Sequence, residues 1–388
     1  MPTTAIALSR GIDPYGFDFA ALDERSGRPM GDISLGHNHI GDTPTWLLLF
    51  ELLAALSPHT AYWLWFWINV GALAASLIIL TVECGLRGPP AWVIAALVVM
   101  YPPIATNFWF GQSEVLLLLI LVLMLSALRR DRQVVAGLLL AAAALLRAYP
   151  AGLLGYLLVL RKWRAIGWTL AGILVGAAIT TFFVGWPVMI RFVEATGLMR
   201  GSGLINNSTA LGQPIELARH PNNLNLGWAV KFLFDRTGRN PRAIANILAV
   251  VAEAALLGVT LAATWKGFES DKYAARFSLW IITVTLISPL AWAQFMACFM
   301  PLFVGLAAFS VDRGRASLSA WLAAASFALI SILPPHGYPF PVVLDLASWL
   351  FANHHSLLHA LPESVPLSLA LAWIAAYWFT SEVREPGA

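Results

Sequence analysis

The sequence predicts an all-α polytopic membrane protein, and three observations carry that prediction. Of its 388 residues, 59% are hydrophobic and 12% charged, against about 25% charged in a soluble protein; the mean hydropathy is +0.72. Apolar runs recur from Trp46 to the C-terminus, many of them long enough to cross a hydrocarbon layer of about 30 Å. Seventeen tryptophans suit the aromatic belts where such helices meet the lipid headgroups. The net charge of +3 then describes loops, and no nucleic-acid partner is expected. Cys84 and Cys298 lie at a helix end and inside an apolar run, which argues against a disulfide framework or a cysteine metal site.

A single membrane domain is expected over residues 1–388. Residues 1–45 are polar and punctuated by Gly and Pro, with Asp13, Asp18, Asp23, Glu24, Asp32 and Asp42 set against Arg10, Arg25 and Arg28. A helical core follows over 46–186, with apolar segments near 46–57, 61–82, 91–105, 113–128, 133–146, 149–160 and 164–186. Residues 187–241 form one long polar loop. The C-terminal helices fall near 242–265, 275–292, 294–310, 317–333, 340–352 and 366–381. Two of the segments, 46–57 and 340–352, are short and read as interfacial; the others make about 11 transmembrane or half-crossing helices.

Orientation follows from the basic residues of short loops. Arg87, then Arg129, Arg130 and Arg132, then Arg161, Lys162 and Arg164, then Lys266, Lys272 and Arg276, then Arg313 and Arg315, and finally Arg384 fall on alternate turns. The short loops around 106–112, 293 and 334–365 hold no Lys or Arg. The basic turns and the C-terminus are therefore expected in the cytoplasm, and 1–45, 187–241 and 334–365 outside. Nothing ahead of 1–45 translocates it, so a further helix upstream of this reading frame is expected.

This orientation forces a hairpin. "RRDR" at 129–132 and "RKWR" at 161–164 must share the inner side, so the chain between them goes out and returns. The break lies at "LLRAYPAGLL", where Pro150 lacks a backbone donor and Gly152 loosens the chain. Fifteen residues of helix rise only about 22 Å, which leaves Arg147 at the hairpin tip below the outer surface. An arginine at that depth wants an anion.

Outward-facing polar groups gather in four places. The first loop holds "GIDPYGFD" and "LGHNHIGDTP", with Asp13, Asp18, Asp42, His37 and His39. The second is "YPPIATNFWFGQSE", with Tyr101, Asn107, Gln112 and Glu114. The third is Arg147. The fourth joins the 187–241 loop to "SPLAWAQF", with Ser288, Trp292 and Gln294. Amides, carboxylates and aromatics at a membrane edge suit a sugar, whose hydroxyls take hydrogen bonds and whose apolar face stacks on rings. An arginine beside them suits a lipid phosphate.

Structural readings stand beside these. Glu114 fits a helix N-terminus, where its charge favours the dipole. Arg147 fits a snorkelling side chain bonded to a carbonyl. Asp13 before Pro14 fits a turn start. His37 and His39 lack a third ligand, and His354, His355 and His359 have no metal-site spacing, so no metal and no cofactor are expected.

The stretch "FWFGQSEVLLLLILVLMLSALRRDRQVVAGLLLAAAALLRAYPAGLLGYLLVLRKWRA" resembles the core of glycosyltransferase family 87. The shared pattern is Gly-Gln, a Leu-rich helix, a basic turn, "AGLLL", a basic residue with a Pro three positions on, and a second basic turn. "GIDPY", "YWLWFWINV" and "SPLAW" match the family in the same order, over roughly residues 10–310. The resemblance implies a GT-C-like fold and sugar transfer on the outer face of a bacterial inner membrane. It also implies a polyprenyl-phosphate sugar donor, with mannose as the sugar, a lipid or glycan acceptor, and inversion assisted by a carboxylate base. Gln112 and Glu114 match the outer end of the Gly-Gln helix, Arg147 the basic residue near the donor phosphate, and Asp13 to Tyr15 the first-loop element.

The chain departs from the family twice. The family's base aspartate lies upstream of the Asp-Pro-Tyr element, which leaves Asp13, Asp18 and Asp42 as the first-loop candidates here. Gln294 stands where members often carry a histidine. Tyr101, Asn107, Trp292 and Gln294 join Gln112, Glu114 and Arg147 as expected substrate contacts. The alternative function is a transporter or flippase of lipid-linked sugars, a class that tends to show internal repeats and mid-membrane charges. The broken hairpin fits it, but the polar groups cluster at one face.

Overall fold

The structure is a computed structural model that describes residues 43–190, 192–193, 226, 242–265, 273–288, 293–314, 316–332 and 364–382. Every element among them is helical. In chain order they are α1 (Pro44–Ala54), α2 (Pro58–Glu83), α3 (Pro89–Val99), α4 (Pro102–Phe110), α5 (Glu114–Arg129), α6 (Gln133–Leu146), α7 (Leu154–Val159) and α8 (Trp163–Val184). After the long loop come α9 (Arg242–Trp265), α10 (Tyr273–Ile287), α11 (Met300–Arg313), α12 (Leu318–Ile332) and α13 (Ser364–Glu382). Two 3-10 segments, Tyr149–Leu153 and Ala293–Phe299, lead into α7 and α11.

Among the described residues, four spans are long and apolar enough to cross a membrane: His59–Glu83, Trp163–Val184, Ile247–Trp265 and Gln294–Arg313. A fifth is the pair α3 and α4, bent by 52°. The other apolar helices, Gln133–Leu146 among them, are shorter. The segment expected at 91–105 is therefore not one helix. Pro102 and Pro103 lack the backbone donors that would continue α3, so Tyr101 takes an extended conformation and α4 starts afresh. The 149–160 and 294–310 segments likewise open as 3-10 turns. The 340–352 segment lies outside the described residues.

The chain's basic ends meet at one end of the bundle. α2 stops at a turn where Gly85 has φ +71° and Leu86 N–H bonds back to the Thr81 carbonyl at 2.8 Å. α5 and α7 stop the same way: Arg132 N–H reaches the Ala127 carbonyl at 2.8 Å, and Lys162 N–H the Leu157 carbonyl at 3.0 Å. The residue between, Asp131 or Arg161, is left-handed at φ +53° in each turn. These closures satisfy the last carbonyls of each helix and reverse the chain within three residues. Glu83 then pairs with Arg129 at 3.2 Å and Arg130 at 2.6 Å, and Asp131 with Lys162 at 2.8 Å. The hydrogen bond from Lys162, with a second from Gln133, holds the Asp131 carboxyl below the usual carboxylate range. Residues 133–160 thus go out and back, as the basic turns require.

α5 is the axis of the bundle. Val115, Leu117, Leu118, Leu121, Val122 and Met124 are buried against α2, α6 and the second 3-10 segment. α10 is buried almost as fully, from Ala275 to Leu286. α8 and α9 are apolar yet turn outward: Leu174 is 71% and Phe182 83% exposed. Lipid tails are as apolar as these side chains, so association comes from close packing and interhelical hydrogen bonds. Thr260 bonds Thr283 at 2.8 Å, Trp373 Nε1 donates to Thr283 at 3.0 Å, and Ser326 and Ser368 bond each other's carbonyls at 2.7 and 2.8 Å.

Small residues set the α6–α8 approach. Thr169 Oγ1 donates to the Gly137 carbonyl at 3.1 Å, and Gly172 and Gly176 face Ala141 and Leu145. A Cβ on Gly137 would strike the Ala165 carbonyl oxygen and lie 2.9 Å from Trp168 Cβ. Backbone cannot yield as a side-chain tip can. Gly137→Ala is therefore expected to destabilise the protein by about 1–3 kcal/mol. Thermal melting of the purified protein in detergent checks this, with Gly176→Ala as the milder comparison, because its Cβ would meet only the tip of Leu145.

Candidate functional site

The other end of the bundle carries the polar cluster. α4 ends at Gly111, whose φ of +61° is left-handed. This conformation lets Gln112 N–H bond the Asn107 carbonyl at 2.8 Å and turns the chain directly into α5. Trp65 Nε1 holds the Gly111 carbonyl at 3.0 Å from α2. Asn107 fastens the corner from inside. Its Oδ1 accepts from Glu114 N–H at 3.0 Å, and its Nδ2 donates to the carbonyls of Pro103 at 3.1 Å and Gln294 at 3.3 Å. Gln112, Ser113 and Glu114 thereby face the end of α6 in a fixed register.

Arg147 caps α6 with an extended backbone and turns its side chain to that corner. Its Nη2 lies 3.1 Å from Glu114 Oε1 and donates to Gln112 Oε1 at 2.9 Å, while Nε donates to Ser113 Oγ at 3.2 Å. The guanidinium sits 5.7 Å from the centre of the Phe295 ring, which stacks on Tyr149 at 4.8 Å. Tyr149 Oη donates to Cys298 Sγ at 3.5 Å, and Cys298 Sγ to the Glu114 carbonyl at 3.8 Å. Glu114 is fully buried and Arg147 only 5% exposed. Glu114 is expected among the outward-facing polar groups. Here protein covers it, and a guanidinium in contact offsets the penalty of burying the charge. Glu114 is one anion that Arg147 contacts at its depth.

α1 lies against the same corner. Thr43 caps its N-terminus, accepting from Trp46 N–H at 3.2 Å, and its hydroxyl also contacts the carbonyls of Leu145 and Leu146, the latter at 3.2 Å. Trp46, Phe50, Trp65 and Leu146 form a separate apolar cluster beside Arg147. Thr45 bonds Thr180 near the far end of α8 at 2.8 Å. α6 has 14 residues and α8 has 22, so Arg147 lies about 12 Å short of the level α8 reaches. Arg147 is thus set back from the end of α8.

The expected residues therefore divide. Gln112, Glu114 and Arg147 are brought together, with Gln112 and Gln294 half-buried. Asn107 is present but spends its amide on the backbone. Tyr101 is fully buried, its ring stacked at 4.6 Å on Phe327 and edge-on to Phe303. Asp13, Asp18, Asp42, Trp292, the His37/His39 and His354/His355/His359 sets and the 187–241 loop apart from residues 187–190, 192–193 and 226 lie outside the described residues; residues 186–190 are helical, so the expected loop does not begin at 187. Ser113, Tyr149 and Cys298 are members that the sequence did not single out as ligands to the cluster. Among the described residues, no group of three or more His, Cys, Asp or Glu side chains could hold a metal ion.

A family model, that of glycosyltransferase family 87, matches residues 43–289, well over half of the chain. The matched stretch contains Gln112, Glu114 and Arg147 and begins at Thr43. No curated protein and no solved structure matches the chain.

Proposed function

Because the chain belongs to glycosyltransferase family 87, a family of membrane glycosyltransferases, we propose that it moves a sugar, mannose, from a polyprenyl-phosphate donor to a lipid or glycan acceptor. The arrangement would be GT-C-like, with about 11 transmembrane or half-crossing helices in a bacterial inner membrane. The cluster would open to the periplasm and the C-terminus would lie in the cytoplasm. The observation that carries the reading is the Gln112–Ser113–Glu114–Arg147 cluster at the end of the bundle opposite the basic turns.

The chemistry follows from these groups. Arg147 takes the donor phosphate, and Gln112, Trp292 and Gln294 contact the sugar. A first-loop carboxylate accepts the proton of the acceptor hydroxyl as its oxygen attacks the anomeric carbon. The bond from that carbon to the phosphate oxygen breaks, its electron pair stays with the phosphate, and the guanidinium stabilises the growing charge. The anomeric configuration inverts. Among Asp13, Asp18 and Asp42, the last is favoured. It is bonded to Thr43, whose hydroxyl contacts the carbonyls of the two residues before Arg147. The test is transfer of radiolabelled sugar from a polyprenyl-phosphate donor by membranes holding the chain. Labelled product with an acceptor present is expected, and movement of intact donor across the bilayer without transfer would favour the flippase.

A further inference from the structure

The Glu114 carboxylate contacts the group expected to hold the donor, yet it is the wrong charge to hold a phosphate. It has zero exposure and sits 3.1 Å from Arg147 Nη2. Its backbone is pinned on both sides, by Asn107 Oδ1 at its N–H and by Cys298 at its carbonyl. Gln112 and Ser113, its chain neighbours, bind the same guanidinium. Three consecutive residues at the start of one helix thus orient a single arginine at the end of another. Arg147 from α6 contacts the carboxylate, while Cys298 from the second 3-10 segment reaches the Glu114 backbone carbonyl and is itself bonded by Tyr149 from the first.

We propose that Glu114 is a positioning and specificity-determining residue: it fixes the Arg147 guanidinium and masks its charge, so that free inorganic anions are refused and only a phosphate delivered on its lipid is accepted. The inference rests on Arg147 being the phosphate-binding group. An anion about 4 Å from the guanidinium would lie about 7 Å from the carboxylate, so at equal dielectric roughly half of the attraction is cancelled. A small anion in water would lose its hydration for that weakened field. A lipid-linked phosphate is already held at the membrane, and its sugar and chain supply further contacts.

The measurement is thermal stability of the detergent-purified full chain with increasing inorganic phosphate, read beside sugar transfer. Wild type is expected to show no phosphate-dependent shift. Glu114→Gln is expected to be stabilised by phosphate, with phosphate inhibiting its transfer at a concentration at least about tenfold lower than in wild type. The double variant Glu114→Gln/Arg147→Gln is expected to lose the shift. Should Glu114→Gln fail to fold, Glu114→Asp, which withdraws the carboxylate by one methylene, carries the same comparison. Equal phosphate response in wild type and the Glu114 variants, or none in either, overturns the masking role. A shift that survives in the double variant places the phosphate elsewhere and overturns instead the assignment of Arg147.

Discussion

Arg147→Ala is expected to reduce sugar transfer by at least about a hundredfold while the protein still inserts. The guanidinium is the group proposed to hold the donor phosphate, and removing a preorganised donor from a developing negative charge costs about 10²–10³ in turnover. The substitution also strands Glu114, a fully buried carboxylate. Removing one partner of a buried pair costs about 3–5 kcal/mol, whereas replacing both with neutral groups of similar volume is often neutral. Two effects are therefore mixed in the single variant, and Arg147→Gln/Glu114→Gln separates them. The double variant should regain much of the lost thermal stability and stay inactive. Wild-type transfer in either variant would remove Arg147 from the mechanism. Arg147→Lys should stay well below wild type, because a lysine cannot bond Ser113, Gln112 and Glu114 from one planar fork.

The second large effect is expected at Asp42. Asp42→Asn should lower transfer by about 10²–10⁴, the range for loss of a general base, with insertion and melting unchanged. Asp13→Asn and Asp18→Asn are the comparisons and should have smaller effects. The ordering follows from Thr43, tied to the end of α6 by its hydroxyl and to α8 through the neighbouring Thr45. A residue bonded to Thr43 stays within about 3.8 Å of its Cα. If Asp13→Asn or Asp18→Asn proves the inactive variant, the base lies elsewhere in the first loop.

The helices and the hairpin were legible because their signals are local. Continuous apolar runs marked α5 and α6, and Pro150 with Gly152 marked the turn after Arg147. Alternating basic turns implied that 129–132 and 161–164 share one side, and the Asp131–Lys162 contact bears this out. The kink before α4 had an equally local signal in Pro102 and Pro103, but the apolar run through 91–105 concealed it. The Glu114–Arg147 pair was not legible, since the two lie on different helices and no periodicity relates residues 33 positions apart. Composition prices a buried carboxylate but does not name its partner. Asn107 was read as a sugar contact because an amide beside aromatics fits both roles. Only the geometry shows its oxygen on Glu114 N–H and its nitrogen on two carbonyls. Thr43 before Pro44 is a recognisable helix start, but its reach to Leu145 and Leu146 belongs to the tertiary fold.

The central claim is that the cluster around Arg147 takes a sugar carried on a lipid phosphate. The direct measurement offers the purified chain, in liposomes with a panel of lipid and glycan acceptors, the same labelled sugar on polyprenyl phosphate or on a nucleoside diphosphate. The account predicts product from the polyprenyl-phosphate donor alone, lost in Arg147→Ala. Product from the nucleotide donor, or from neither, would contradict it.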